Sequence, residues 1–254
     1  MSGTLAIVGL GPGAPELQTP QATAALQSAT DLVGYGSYLA RVPSRPGQAR
    51  HTSGNGDELQ RARHALALAA AGRRVAVVSS GDPGVFAMAS TVFQAIESGE
   101  TEWREIAVEV VPGISAMFAA AARIGAPLGH DFCAISLSDN LQPWDDVLRR
   151  LTAAAGAGFV IALYNPASRA RPTQFAAALK ALRGILPATT PLAFASAVGS
   201  AEERIDIVTL AAADPARADM RTLVLIGSPA TRRIERRHAR PWLYTPRQSE
   251  DVSP

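Results

Sequence analysis

Cysteine is almost absent from this 254-residue chain. Cys133 stands alone, which excludes an intramolecular disulfide and any cysteine-based metal cluster. Within the apolar run FCAISL it is expected to be a small buried hydrophobe. Lysine is as scarce: of 24 basic residues, only Lys180 is not an arginine. The positive surplus is thin, because 22 acidic residues leave a formal net charge of +2 despite a pI near 9.0. A surplus that small argues against general nucleic-acid binding. The arginine bias has two readings, a GC-rich genome or a use of the planar guanidinium fork on carboxylates and phosphates. Long hydrophobic runs are missing as well. No stretch of about 18 apolar residues occurs, and the opening MSGTLAIVGLGPG has no basic segment ahead of a long apolar one. The expectation is a cytoplasmic protein with no membrane partner and no metal site.

What the chain does have is the composition of a soluble globular protein, 47% hydrophobic and 18% charged, with length for one large domain or two ordinary ones. TLAIVGL predicts a buried strand. Thr19 as N-cap and Pro20 at the first helical position predict a helix through TPQATAALQSA. DLVGYGSYL reads as a strand and turn, and RVPSRPGQARHTSGNG as loop. Asp57 is expected to open the helix DELQRARHALALAAAG, which ends at Gly72. RRVAVVSS has the continuous β-branched character of a strand buried on both faces. A helix to about Ile96, the strand IAVEVVPG and the small-residue helix ISAMFAAAARIG follow. This alternation implies a mainly parallel sheet. Beyond APLG the pattern restarts: strands in DFCAISL, FVIALYNP, PLAFASAVG, ERIDIVTLAAA and RTLVLIGS, and helices in PWDDVLRRLTAAAGAG and RPTQFAAALKALRGIL. The fold class is α/β, with two unlike α/β domains divided as residues 1–120 and 121–254. The charged tail from RRIERR onward is expected to be partly disordered at its end.

Three glycine turns end successive strands of the first half: GLGPG (residues 9–13), SSGDPG (79–84) and VPGISA (111–116). LYNPASRAR (163–171) ends a strand of the second half. Together they predict four polar turns converging at strand carboxyl ends, where ligands of α/β folds sit. GLGPG departs from the dinucleotide fingerprint: its third glycine comes one residue early, and Pro12 and Pro15 delay the helix. It is a tight turn or a loop over another ligand. In SSGDPG, Gly81 and Gly84 allow close backbone approach, while Asp82 either accepts from a ligand or caps the following helix. VPGISA offers Gly113, Ser115 and Ala116, with room for a flat base or a sulfur-bearing chain.

GLGPG, GYGSYL, SSGDPGVFAMAS, VPGISAMFAAAARIGAPLGHDFCAISLSDNLQPW and LYNPASRAR together resemble the tetrapyrrole methylase family, from Leu5 to about Tyr244. GYGSYL, ISLSDNLQPW and LYNPASRAR are most similar to a branch that methylates a precorrin and contracts its macrocycle. The resemblance implies two unlike α/β domains with an interdomain cleft, S-adenosylmethionine (SAM) as methyl donor, S-adenosylhomocysteine as its product, and a homodimer. It implies cofactor contacts at Pro12, Ser80, Gly81, Asp82, Val85, Ser115, Ala116 and Asn165, with Ala197 and Thr222 on a looser match.

Methyl transfer from a sulfonium requires chiefly alignment, whereas ring contraction moves protons and calls for an acid or base. Asp139, Tyr164 and His130 are the candidates, with Asp82 behind them. His130 also reads as a satisfied loop histidine and Asp139 as a helix cap. Arg41, Arg45, Arg169 and Arg171 are candidate clamps for the substrate's carboxylates, or solvated surface residues. Three rival functions stand: a sibling precorrin methylase, a methylase of the same fold acting on RNA or diphthamide, and a nucleotide-binding module without catalysis.

Overall fold

The computed structural model describes residues 3–54, 56–140, 142–168 and 171–248. The chain divides into two compact units, Met1–Ala116 and Met117–Pro254. The first unit contains β1 (Thr4–Gly9), α1 (Pro20–Ser28), β2 (Asp31–Tyr35), the single turn α2 (Gly36–Leu39), β3 (Ala49–Ser53), α3 (Glu58–Ala70), β4 (Arg74–Ser79), α4 (Met88–Ser98) and β5 (Ala107–Val111). Its five strands form one parallel sheet in the order β3-β2-β4-β1-β5.

Successive strand residues face opposite sides of this sheet, and both sides are covered. Leu5, Ile7, Val33, Val75 and Val77 pack on Ala62, Ala65, Leu66 and Ala69 of α3 and on Met88, Ala89 and Val92 of α4. Val8, Leu32, Ala76 and Val78 pack on Ala22 and Leu26 of α1 and on Leu39. This double burial accounts for the unbroken apolar runs of β1 and β4. Helix α1 starts as its sequence predicts, with Thr19 Oγ1 accepting the Ala22 N–H at 3.1 Å and Pro20 following. Asp57 stands at the start of α3 as expected, its carbonyl accepting the Arg61 N–H at 2.8 Å, but its side chain accepts the Gly54 N–H at 3.1 Å and caps no helix amide.

The segment expected to be loop, residues 41–56, contains β3. An outer strand with no apolar periodicity leaves no hydrophobic signal. It is held by pairing with β2 and by polar partners: Arg50 donates to Leu39 O at 2.8 Å and Val42 O at 2.7 Å, and His51 Nε2 lies 3.0 Å from Asp31 Oδ1.

The second unit contains α5 (Ala116–Ile124), β6 (Gly125–Ala126), β7 (Phe132–Ser136), α6 (Trp144–Gly156), β8 (Val160–Tyr164), α7 (Gln174–Arg183), β9 (Pro191–Ser196), β10 (Arg204–Thr209), β11 (Thr222–Ile226), β12 (Arg232–Ile234) and β13 (Trp242–Tyr244). Its main sheet has the order β10-β9-β11-β8-β7. Only β7 and β8 are parallel; the other pairs are antiparallel. The two units are therefore unlike in topology. Val147 and Leu151 of α6 and Phe175, Leu179 and Leu182 of α7 pack on Ile161, Leu163, Phe194 and Val224, with Phe175 and Phe194 edge to face at 6.0 Å.

A three-stranded sheet, β12-β13-β6, takes in two short stretches of the charged tail. Thr245 Oγ1 donates to Pro127 O at 2.6 Å beside it. The disorder expected at the end of the tail falls on residues 249–254, outside the described residues.

Candidate functional site

Parallel pairing of β4, β1 and β5 delivers their three glycine turns to one edge of the first sheet. The turns are tied directly to one another. Gly11 N–H donates to Gly81 O at 3.1 Å and Gly81 N–H to Gly11 O at 2.9 Å. A Cβ on Gly9 would lie 2.7 Å from Gly81 O and 2.8 Å from Gly113 N, and one on Gly113 only 2.2 Å from Gly81 O. Gly9 and Gly113 are thus required by contact between turns. Gly81 is different. Its φ is +63°, a conformation glycine adopts readily, and its missing Cβ would stand no closer than 3.8 Å to any atom, facing Ser115 Cα and Ala116 N.

Asp82 is not a helix cap; α4 begins after Ala87 with no side-chain cap. Its Oδ1 accepts the Gly84 N–H at 2.8 Å and its Oδ2 the Gly113 N–H at 3.1 Å, so the carboxylate joins the second turn to the third. Ser115 is buried at 2% exposure, and among the described residues its Oγ has no hydrogen-bond partner. A buried hydroxyl without a partner carries a desolvation cost of about 1–3 kcal/mol, which a ligand acceptor or donor would remove.

Arg41, expected to clamp a substrate carboxylate, is bound to its own unit. Its Nη2 donates to Leu10 O at 3.2 Å, Gly11 O at 3.0 Å and Gly13 O at 3.3 Å, and its Nη1 to Ser80 Oγ at 3.2 Å. Burial lowers its pKa from the ordinary arginine value, with Tyr38 opposing. Arg45 is exposed and donates to Gln27 O at 2.8 Å, near the end of α1.

The fourth turn, after β8, does not share this edge, because β8 belongs to the second unit's sheet. There β8 and β9 both run antiparallel to β11, which lies between them. The carboxyl ends of β7, β8 and β9 and the amino end of β11 therefore share one edge. Tyr164, Asn165, Ala197 and Thr222 all stand on it, with Asp139 just past β7. Asn165 and Ala197 have φ of +53° and +49°; with Phe86 they are the non-glycine residues of positive φ among the described residues. Such backbone costs roughly 1–3 kcal/mol and concentrates at ligand sites.

Specific bonds hold these conformations. Asn165 Nδ2 donates to Ser136 Oγ at 3.0 Å, and Ala197 N–H to Arg221 O at 3.0 Å. Thr222 Oγ1 donates to Asp219 Oδ1 at 2.7 Å. Burial raises the Asp219 carboxyl, but the Thr222 hydroxyl and the Arg221 amide outweigh it, and its pKa lies below the usual range. Tyr164 Oη accepts the Met117 N–H at 3.2 Å at the start of α5. Asp139 Oδ2 accepts from Gln174 Nε2 at 2.9 Å, and Oδ1 lies 3.8 Å from Arg171 Nε.

Arg171 lies in the loop between β8 and α7 but is not a solvated surface residue. It is buried at 6% exposure and donates through Nη1 to Leu137 O at 3.2 Å and Asn165 O at 3.1 Å, bracing the turns after β7 and β8. Arg169 lies outside the described residues. His130 precedes β7, at the end of that strand opposite Asp139 and Tyr164; five residues of strand put about 15 Å between the two ends. It is exposed, with Nδ1 3.7 Å from Asp131 Oδ2. Pro12, Ser80 and Val85 are half-buried in the first and second turns. Sequence reasoning missed Asp219 and Ser136. Their only local signals were an Asp three residues before β11 and a Ser closing β7. Among the described residues, no group of three or more His, Cys, Asp and Glu could hold a metal ion, and no helix is long and apolar enough to cross a membrane.

Residues 4–214 match the family model of the tetrapyrrole (corrin/porphyrin) methylases. A Sinorhizobium sp protein named precorrin-3B C(17)-methyltransferase is 54% identical over 247 residues, covering 97% of each chain. The crystal structure of the methyltransferase CobJ superimposes with a TM-score of 0.92 at 52% identity, covering 96% of this chain and 100% of that one. At 23% identity and a TM-score of 0.67, the uroporphyrin-III C-methyltransferase of Thermus thermophilus, solved with S-adenosylhomocysteine, shares the fold over 89% of this chain and 97% of its own. By the match over both units and by identity of half its residues with a full-length relative, the chain belongs to the tetrapyrrole methylase family.

Proposed function

We propose that this chain is a SAM-dependent C-methyltransferase that methylates C17 of precorrin-3B and contracts the macrocycle to give precorrin-4 in cobalamin biosynthesis. The observation that carries the reading is the 54% identity with the Sinorhizobium sp protein over 97% of both chains. The first edge fits the methyl donor. Ser115 offers a buried Oγ without a partner among the described residues, and Gly81, with no side chain, faces Ser115 Cα and Ala116 N, where any other side chain would intrude. Asp82 keeps the Gly81 and Gly113 turns in register. When bound, SAM supplies a methyl on a sulfonium sulfur, and that sulfur keeps the bonding pair as the methyl passes to carbon.

The residues proposed to hold it are Pro12, Ser80, Gly81, Asp82, Val85, Ser115 and Ala116 of the first unit and Asn165, Ala197 and Thr222 of the second. Asp139 and Tyr164 are proposed to move protons during contraction. His130, on the opposite sheet edge, is not assigned to that step. A cytoplasmic homodimer goes with this reading.

Incubation with SAM and precorrin-3B tests it. The expected product has gained one methyl and has the absorption of a contracted macrocycle. Turnover with a different precorrin alone would move the chain to a sibling activity. Tight SAM binding with no transfer to any tetrapyrrole would make it a binding module.

A further inference from the structure

We propose that Arg41 is a positioning residue that acts through Ser80, turning the Ser80 hydroxyl into a donor aimed at an acceptor atom of the bound ligand. The inference rests on the reading of the first edge as the SAM site and adds how one of its groups is oriented. A guanidinium has five N–H donors and no acceptor. In the 3.2 Å contact between Arg41 Nη1 and Ser80 Oγ, the serine oxygen must therefore accept, and its own proton must point elsewhere. Among the described residues, no protein acceptor takes that proton. Ser80 is half-buried, beside Gly81, whose absent Cβ would point at Ser115 Cα and Ala116 N from 3.8 and 3.9 Å.

The guanidinium cannot easily turn away. Its Nη2 is held by the carbonyls of Leu10, Gly11 and Gly13, and it is half-buried against Tyr38, whose own pKa is raised by burial. A charged donor bound to a hydroxyl oxygen polarises that hydroxyl, making it a better donor in turn. The ligand atom it suits is a carboxylate, carbonyl or ribose oxygen, or a ring nitrogen. The three carbonyl bonds hold the first turn and the bond to Ser80 joins it to the second, so Arg41 sets both the shape of the loop and the direction of one donor.

A double-mutant cycle read by calorimetry with S-adenosylhomocysteine separates these two effects. The chains are the wild type, Arg41→Ala, Ser80→Ala and the double variant, with a thermal melt of each. Each single change is expected to weaken binding about 10-fold. The double variant should be no weaker than the poorer single, because the two residues act as one donor. A merely structural Arg41 would give losses that multiply to about 100-fold. That result, or unchanged affinity in Arg41→Ala, overturns the inference while leaving the SAM reading intact. Absence of binding by the wild type overturns both. Should Arg41→Ala fail to fold, Arg41→Lys replaces it in the cycle. Its cation can reach the carbonyls but lacks the fork, so weaker binding with the same coupling to Ser80 is expected, and multiplying losses again refute the proposal.

Discussion

Substituting Gly113 and Gly81 by alanine should separate the contact between turns from the ligand cradle. The Gly113 Cβ would meet Gly81 O at 2.2 Å and Gly9 Cα and C at 3.0 Å, all backbone atoms, against an ordinary contact of 3.4 Å or more. The β4 and β5 ends would have to part by about 1.2 Å, which strains the paired bonds between Gly11 and Gly81. Overpacking costs typically 1–3 kcal/mol, and a lost backbone bond adds about 1 kcal/mol. The melting temperature should fall by roughly 5–15 °C. Gly81→Ala meets no atom nearer than 3.8 Å and bears only the left-handed backbone penalty, about 1–2 kcal/mol. It should lower the melting temperature by only a few degrees, yet its methyl enters the space facing Ser115 and Ala116. Both variants are expected to lose S-adenosylhomocysteine affinity by at least about 10-fold, a 1.4 kcal/mol effect. Calorimetry and a thermal melt read both quantities. Gly113→Ala melting like the parent would refute the turn contact. Gly81→Ala binding like the parent would remove the ligand from that face.

Asp31 gives a pH signature. Burial raises its carboxyl, but bonds from Arg73, Thr30 and His51 outweigh it and bring the pKa from 3.8 to about 2. The depressed value stabilises the fold by roughly 2.5 kcal/mol above pH ~4, and this is lost as pH falls through 2. Asp31→Asn should therefore show that deficit in urea unfolding at pH 7 and close on the parent near pH 2; a deficit independent of pH would contradict it. Asp139→Asn and Tyr164→Phe should leave S-adenosylhomocysteine binding in place but slow contraction by about 10²-fold or more, read by single-turnover mass spectrometry. Contracted product at the parent rate from both variants would clear them of proton transfer. Arg171→Leu should destabilise the second unit by about 2–4 kcal/mol, because Leu137 O and Asn165 O lose a buried donor; a parent-like unfolding midpoint would show the brace to be idle.

The strands were legible where burial is two-sided. TLAIVG and RVAVVS are apolar along Leu5–Val8 and Val75–Val78 because both their faces are covered, and Thr19 and Pro20 mark α1 by capping chemistry that is local. β3 left no such trace, since Arg50 and His51 stabilise it through partners on other segments. The roles of Asp82, Arg41 and Arg171 were illegible for a related reason. Each looks like a solvent or ligand group in its own loop, and its true partners lie as far as 39 residues away in the sequence. His130 precedes β7, and only the course of that strand shows that it stands at the end away from Asp139 and Tyr164. Asn165 and Ala197 came from resemblance alone, and nothing in their neighbours foretold a left-handed backbone.

The pairing of β13 with β6 has a consequence for synthesis on the ribosome. Thr245 and its acceptor Pro127 are separated by 118 residues, and Leu243 and Tyr244 pair with Gly125 and Ala126 across a similar span. At about 5–20 residues per second, the partner strand emerges roughly 6–24 s after β6. The parallel sheet of the first unit is complete at Val111 and can close during that interval. The second unit must hold Gly125 and Ala126 unpaired until β13 has been made, so a nascent chain that stops short of Trp242 should carry a closed first unit and an open edge at β6.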